Sequence, residues 1–160
     1  MLANMVELLD FCTDFINEID DFEDVQLDTD FQCYPETNEI FISILASQNS
    51  VEEFMETLLE RTYITGISEF TWSLLHEVGH CETWRFLGKR THSHCRNQKK
   101  KIRKGKMPTI TYYALTDEKI ATNWAIRFVE NNFEMVKAFD EKAIELLKKV
   151  FIENRIDLES

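Results

Sequence analysis

The 160-residue sequence predicts an α+β domain, mainly helical, with a small β-hairpin or short sheet packed on one central helix. Three observations carry this expectation. Apolar residues recur at three- and four-residue steps over most of the chain, the period of a helix with one buried face. Only the stretch between residues 25 and 45 alternates as strands do. Four Gly and two Pro are few for the turn-rich connections of an all-β protein. With 44% hydrophobic residues, Phe prominent among them, a chain of this length buries a core as one domain, residues 1–160, without staples.

Each element has its own warrant. Met5, Leu8, Leu9, Cys12, Phe15, Ile16 and Ile19 make the stripe of a first helix over Leu2–Ile19, and the acids Asp20, Asp21, Glu23 and Asp24 close it. Val25–Tyr34 and Glu39–Leu45 read as the strands of a hairpin turning at Pro35-Glu36-Thr37-Asn38. Ser50 with Glu53 spells a capping box for a second helix, with Val51, Phe54, Met55, Leu58 and Leu59 as its stripe. After Gly66, Ser68 caps a third helix. Its residues Phe70, Leu74, Leu75, Val78 and Cys81 spread around much of the circumference, as in a helix buried mid-domain, and Gly88 is its expected stop. Lys89–Pro108 is polar, basic and without period, and so reads as a mobile loop, 89–108. A short extended piece, Thr109–Ala114, leads to Thr116, the cap of the next helix. Asn131-Asn132 breaks that helix, and Phe133–Asn154 forms the last. There is no internal repeat.

The net charge of −11 is unevenly spread. Arg96 to Lys106 holds seven basic residues and no acid, so the remaining chain carries 11 basic against 29 acidic residues. A solvated loop is the plain reading of the basic run; a lid over a site is the alternative. Contact with nucleic acid is possible in charge but not favoured, because residues 96–106 lack the aromatic side chains on which bases stack. No apolar run approaches the ~18 residues of a membrane span, and Met1–Leu9 carries acid where a signal peptide needs base. Cys12, Cys33, Cys81 and Cys95 are scattered without a CxxC pair. The expectation is a cytoplasmic protein with reduced thiols and no membrane contact. Its oligomeric state is left open.

Within the third helix stands His76-Glu77-Val78-Gly79-His80, an HExxH pentapeptide. Four helical residues make about one rotation, so both imidazoles project from one face, where one Zn²⁺ takes both. Glu77 lies beside them, within reach of a water at the metal. A catalytic zinc needs a third protein ligand. A metzincin would carry His six residues after His80, but that position is Phe86. The next helix offers Glu118, on the face of Ala121, Trp124, Ala125 and Phe128. A carboxylate turned into a core is costly unless a cation meets it. Ala121, Ala125 and Gly79 are small enough for the two helices to approach closely. Asp117 is the fallback ligand. As ordinary residues, Asp117 and Glu118 are acids of a first turn, favoured there by the helix dipole.

His76–His80 followed by Tyr112–Ala125, with its ExxAxxxA pattern from Glu118, resembles the small zincin-type metallopeptidases of phages and mobile elements, whose relatives include the ImmA/IrrE group. The resemblance covers about Glu39–Val129. It implies a zincin-like fold, a zinc cofactor held by His76, His80 and the glutamate Glu118, and, if phage-encoded, a place in the host cytoplasm. This chain has Thr116 where that pattern often has Pro. The Lys/Arg-rich run between the two motifs is unexplained by the resemblance, and the chain has no room for the DNA-binding domain some members carry.

The expected function is zinc-dependent hydrolysis of peptide bonds in a protein or peptide substrate, with Glu77 taking a proton from water and returning it to the leaving amine. The strand Glu39–Leu45 offers an edge for an extended peptide. Tyr112, Tyr113, His92 and His94 are candidate transition-state donors, and the sequence does not choose among them. His92, His94 and Cys95 lie close enough in sequence for a second metal, or for Cys95 to silence the zinc; as plain residues they are polar positions of a loop. Cys81 points to another helix face and reads as packing. The alternative function is a catalytically weak or inactive zinc-stabilised binding or regulatory protein that contacts a protein or nucleic acid through the basic run. The intact Glu77 favours the enzyme, since a structural site has no use for a base.

Overall fold

A computed structural model describes residues 3–22, 24–28, 30–44 and 48–159. The expected α+β architecture holds, mainly helical around one small sheet. Its centre is α3 (Glu69–Thr83), the HExxH helix. Trp72, Leu74, Leu75 and Val78 are buried on different sides of it, because other elements cover it almost all round. Ser68 caps it as expected, its side chain accepting from the Thr71 amide. That first turn is tied down further by α6 (Phe133–Glu159), whose buried Asp140 accepts from the Ser68 amide at 3.0 Å, the Ser68 hydroxyl at 2.5 Å and the Thr71 hydroxyl at 2.6 Å. A buried carboxylate is tolerated there because a helix N-terminus supplies both donors and positive potential. Against α6 lies α1 (Ala3–Asn17), with Phe11 and Phe15 stacked on Phe139 at centroid distances of 5.1 and 3.9 Å.

The strand region is more elaborate than a hairpin. β2 (Gln32–Tyr34) and β3 (Glu39–Ile42) pair antiparallel, Cys33 opposite Ile40, around the expected Pro35–Asn38 turn. Asn38 closes the turn at φ 53°, a conformation asparagine tolerates better than most residues. β1 (Asp24–Leu27) runs parallel to β3 on its other side, Val25 opposite Ile40, giving the order β1-β3-β2. The stretch Val25–Tyr34 is therefore two strands, and the proposed docking edge at Glu39–Leu45 is corrected: β3 is the central strand. Alternation assigns faces, with Ile40 and Ile42 fully buried, but it does not fix strand order. Leu2, Glu23 and Leu45, and the side chains of Ser50 and Val51, lie outside the described residues.

The basic segment is the largest correction. Of residues 89–108, expected as a loop, Lys89–Arg103 form the helix α4, which packs on α5 (Thr116–Asn131), and only 104–108 lack regular structure. Lys, Arg and Gln are good helix formers. The inward seam is Cys95 and Ile102, both buried, with the half-buried Lys99 between them, a helical spacing hidden in sequence because its middle member is a lysine whose apolar stem packs while its head finds acids. Three cations in the last turn, Lys100, Lys101 and Arg103, suit the negative end of the helix dipole. Gly88 is accordingly the N-cap of α4 and not the stop of α3, which tightens first into a 3-10 turn at Trp84–Phe86. Thr109–Ala114 is also 3-10, not extended. α2 (Gln48–Leu59) starts ahead of Ser50 and buries Phe54 and Leu58 while Leu59 is exposed. Thr116 is the first residue of α5, with Leu115 in the cap position. Among the described residues no helix is long and apolar enough to cross a membrane.

Candidate metal centre

The HExxH helix and α5 pack in close contact, and Gly79 sets their separation. A Cβ there would sit 2.5 Å from the Ala121 carbonyl oxygen, so glycine alone fits this approach. The consequence is a meeting of side chains. Glu118 Oε2 lies 2.7 Å from His76 Nε2 and 3.0 Å from His80 Nε2, with His76 and Glu118 buried. One ligand atom from each of the three falls within 4.8 Å of the others, the only such cluster of metal-binding groups among the described residues. Tetrahedral ligands at ~2.0–2.2 Å from zinc stand roughly 3.3 Å apart, so the two Glu118–histidine contacts need lengthen by only about 0.3–0.6 Å to admit an ion. The set fits a divalent metal. Glu118, not the fallback Asp117, is the carboxylate brought to the histidines.

Two residues that sequence reasoning passed over complete the arrangement. Thr122, one turn beyond Glu118 on α5, places its hydroxyl 3.1 Å from His76 Nδ1. That contact fixes the ring and turns Nε2 toward Glu118, the partnership a metal-bound histidine requires of its second nitrogen. Its spacing of four from Glu118 was the available signal. Lys99 reaches in from α4, with Nζ 2.8 Å from Glu118 Oε1 and 2.7 Å from Asp117 Oδ2, and 5.0 Å from the centre of the Tyr112 ring. It holds one oxygen of Glu118 and leaves the other for the histidines. Asp117 also accepts from the Glu118 amide at 2.9 Å, so the fallback ligand serves as a brace.

The electrostatics follow. Burial acts to lower the His80 pKa, but the Glu118 charge and hydrogen bond, with Glu77 behind them, override it and hold the imidazole up to about 9. Burial acts to raise the Glu118 pKa, and His80 and His76 overcome it, holding the carboxyl well below its usual range. Lys99 is likewise kept charged: burial opposes the cation, and Glu118 and Asp117 more than reverse that. Tyr112 and Tyr113 are both raised by burial first and then by the charges of Glu118 and Glu77, so both hydroxyls stay protonated and able to donate at neutral pH.

These groups open onto a cavity of about 1020 Å³, large enough for several residues of a peptide. His76, Glu77, His80, Glu118, Tyr112 and Tyr113 all line it, together with β2 and the basic face of α4. His92 also lines it, but its Nε2 is 3.1 Å from the Trp84 carbonyl and its ring packs on the Trp84 indole. His94 is exposed and Cys95 buried, so these three do not converge on a second metal, and Cys95 does not join the cluster of His76, His80 and Glu118. Cys81 is buried packing, with Cys33 of β2 as its hydrogen-bonding neighbour. Comparison with models of known protein families, with curated proteins and with solved structures returned no match, so the reading of this centre rests on its own residues.

Proposed function

We propose that the chain is a zinc-dependent peptidase of the HExxH…E kind, with His76, His80 and Glu118 as zinc ligands and Glu77 as general base. The observation that carries this reading is the convergence of Glu118 on His76 and His80 from a separate helix, beside Glu77 and facing one cavity. Two imidazoles and one carboxylate with an open fourth position is a donor set suited to catalytic zinc. Zinc, when bound, supplies Lewis acidity, polarising a carbonyl and lowering the pKa of water toward ~7. Glu77 takes the proton as water oxygen joins the carbonyl carbon, and delivers it to the amine nitrogen as the C–N bond breaks. Tyr112 and Tyr113, which line the same cavity as neutral hydroxyls, donate to the carbonyl oxygen as it gains charge. The edge strand β2, in place of β3, offers backbone groups to an extended substrate.

The test is zinc per chain by elemental analysis, with peptide-mixture digestion read by mass spectrometry. Wild type should hold one zinc and cleave, Glu118→Ala should lose the metal, and Glu77→Gln should keep the metal and lose cleavage. A second reading has one observation in its favour, the cations Arg96, Lys100 and Arg103 of α4, which form no ion pair among the described residues: a zinc-stabilised binding protein without turnover. Zinc-loaded wild type that cleaves no peptide, or cleaves as well with Glu77→Gln, would favour that reading over the peptidase.

A further inference from the structure

Arg96, Lys100 and Arg103 fall at steps of four and three along α4, so they share one helix face. All three are exposed, and all line the cavity that holds His76, Glu77 and His80. Lys99, between them, is consumed by Asp117 and Glu118, whereas these three form no ion pair among the described residues, in a chain with 29 acids. Of the lining acids outside the metal centre and its brace, Asp30, Glu36 and Glu39 belong to the sheet and its turns and Glu53 to α2. The lining is therefore segregated by charge: its Lys and Arg side chains all come from α4, and these acids from the strand side and α2.

We propose that this face of α4 selects a peptide carrying a short cluster of acidic side chains on one flank of the segment seated at the metal centre. Three like charges gathered in a cleft repel one another, and their field is concentrated by its low-dielectric walls, so incoming carboxylates are drawn in. Arg96 and Arg103 also present planar forks that match a carboxylate in two hydrogen bonds. From residue 96 to 103 a helix rises about 10 Å, which an extended peptide covers in roughly three to four residues. Two or three Asp or Glu within such a span answer the face. The acidic strand side sets the polarity, because an acid there meets repulsion. Nucleic acid fits less well: the net charge of −11 repels a polyanion, and α4 offers no Phe, Tyr or Trp for stacking.

The inference rests on the cleft being a peptide site, and the experiment reads binding without turnover. The zinc-supplemented Glu77→Gln protein is titrated, by fluorescence anisotropy, with a dye-labelled Ala/Ser decapeptide bearing three Glu within four residues. Its counterparts are the same peptide with three Lys and a ten-nucleotide single-stranded DNA. The Glu peptide should bind about tenfold or more tightly than the Lys peptide, and the combined Arg96→Gln, Lys100→Gln, Arg103→Gln variant should lose most of that preference. A charge-matched control, Lys101→Gln, Lys104→Gln, Lys106→Gln, changes residues that do not line the cavity and should keep it. Equal binding of the two peptides, or equal loss in both variants, overturns the proposal. So does DNA binding more tightly than the Glu peptide and lost in the cleft variant, which would assign the face to nucleic acid. Absence of zinc or of cleavage in wild type, with Glu selectivity intact, removes the peptidase reading and leaves this one standing; active zinc protein without the selectivity does the reverse.

Discussion

Gly79→Ala tests the link between helix packing and the metal centre. The added methyl would lie 2.5 Å from the Ala121 carbonyl oxygen and 3.2 Å from two further backbone atoms of Ala121, and ordinary contact begins near 3.4 Å. Backbone cannot rotate aside as a side chain does, so α5 must withdraw by about 0.9 Å. Overpacking of this kind costs about 1–3 kcal/mol, and the better helix propensity of alanine returns about 0.5–1 kcal/mol. A net loss of roughly 1–2 kcal/mol corresponds to a fall in Tm of about 2–8 °C at this chain length. The centre suffers more than the fold. Glu118 and Thr122 flank Ala121 on α5, so the 2.7 and 3.0 Å contacts of Glu118 with the histidines open together. Ligand positions must hold to about 0.2 Å, so zinc affinity should fall by about tenfold to a hundredfold. Differential scanning calorimetry of the metal-free protein and competition for zinc against a chelator give the two numbers. Gly88→Ala, where a Cβ meets nothing within 4 Å, is the control that should leave zinc affinity unchanged. Gly79→Ala with wild-type zinc affinity would refute the claim that helix spacing sets the ligand geometry.

The remaining predictions concern the groups around the ligands. Thr122→Val removes the partner of His76 Nδ1 with little change of volume, and should weaken zinc binding by about tenfold to a hundredfold; unchanged affinity would make the hydroxyl a packing group. Lys99→Met keeps the buried stem but frees Glu118 Oε1 and Asp117, leaving two carboxylates without their cation; metal-free Tm should drop by several degrees, an outcome thermal unfolding decides. In the metal-free protein the His80 pKa rises from 6.5 to about 9, so its contribution to stability is complete below pH 6.5 and disappears as pH climbs through 9. Glu118, being lowered, contributes above its ordinary value of 4.5 and loses that only as pH falls through its folded pKa. Stability of metal-free wild type should therefore decline between pH 6.5 and 9 more steeply than that of Glu118→Gln. Parallel curves for the two proteins would refute the coupling.

Much of this molecule is written locally. His76 and His80 share a helix face because four residues make a turn, and Ser68 starts that helix because its side chain can accept from an amide three residues on. Apolar spacing located α1, α3, α5 and α6, and the small residues Gly79, Ala121 and Ala125 announced that two helices meet. Other features belong to the tertiary structure because they depend on partners far away in sequence. Strand order is one: only packing against β3, with β1 on α1 and β2 on α3, places one strand on each side. The basic segment is another. Its hydrophobic seam is closed by a lysine, and Lys99 becomes an inward residue only once Asp117 and Glu118 stand ready to neutralise it. Glu118 itself was legible as an acid on an apolar face, but its choice over Asp117 was made by the close helix approach at Gly79, which carries one carboxylate to the histidines and leaves its neighbour to the lysine.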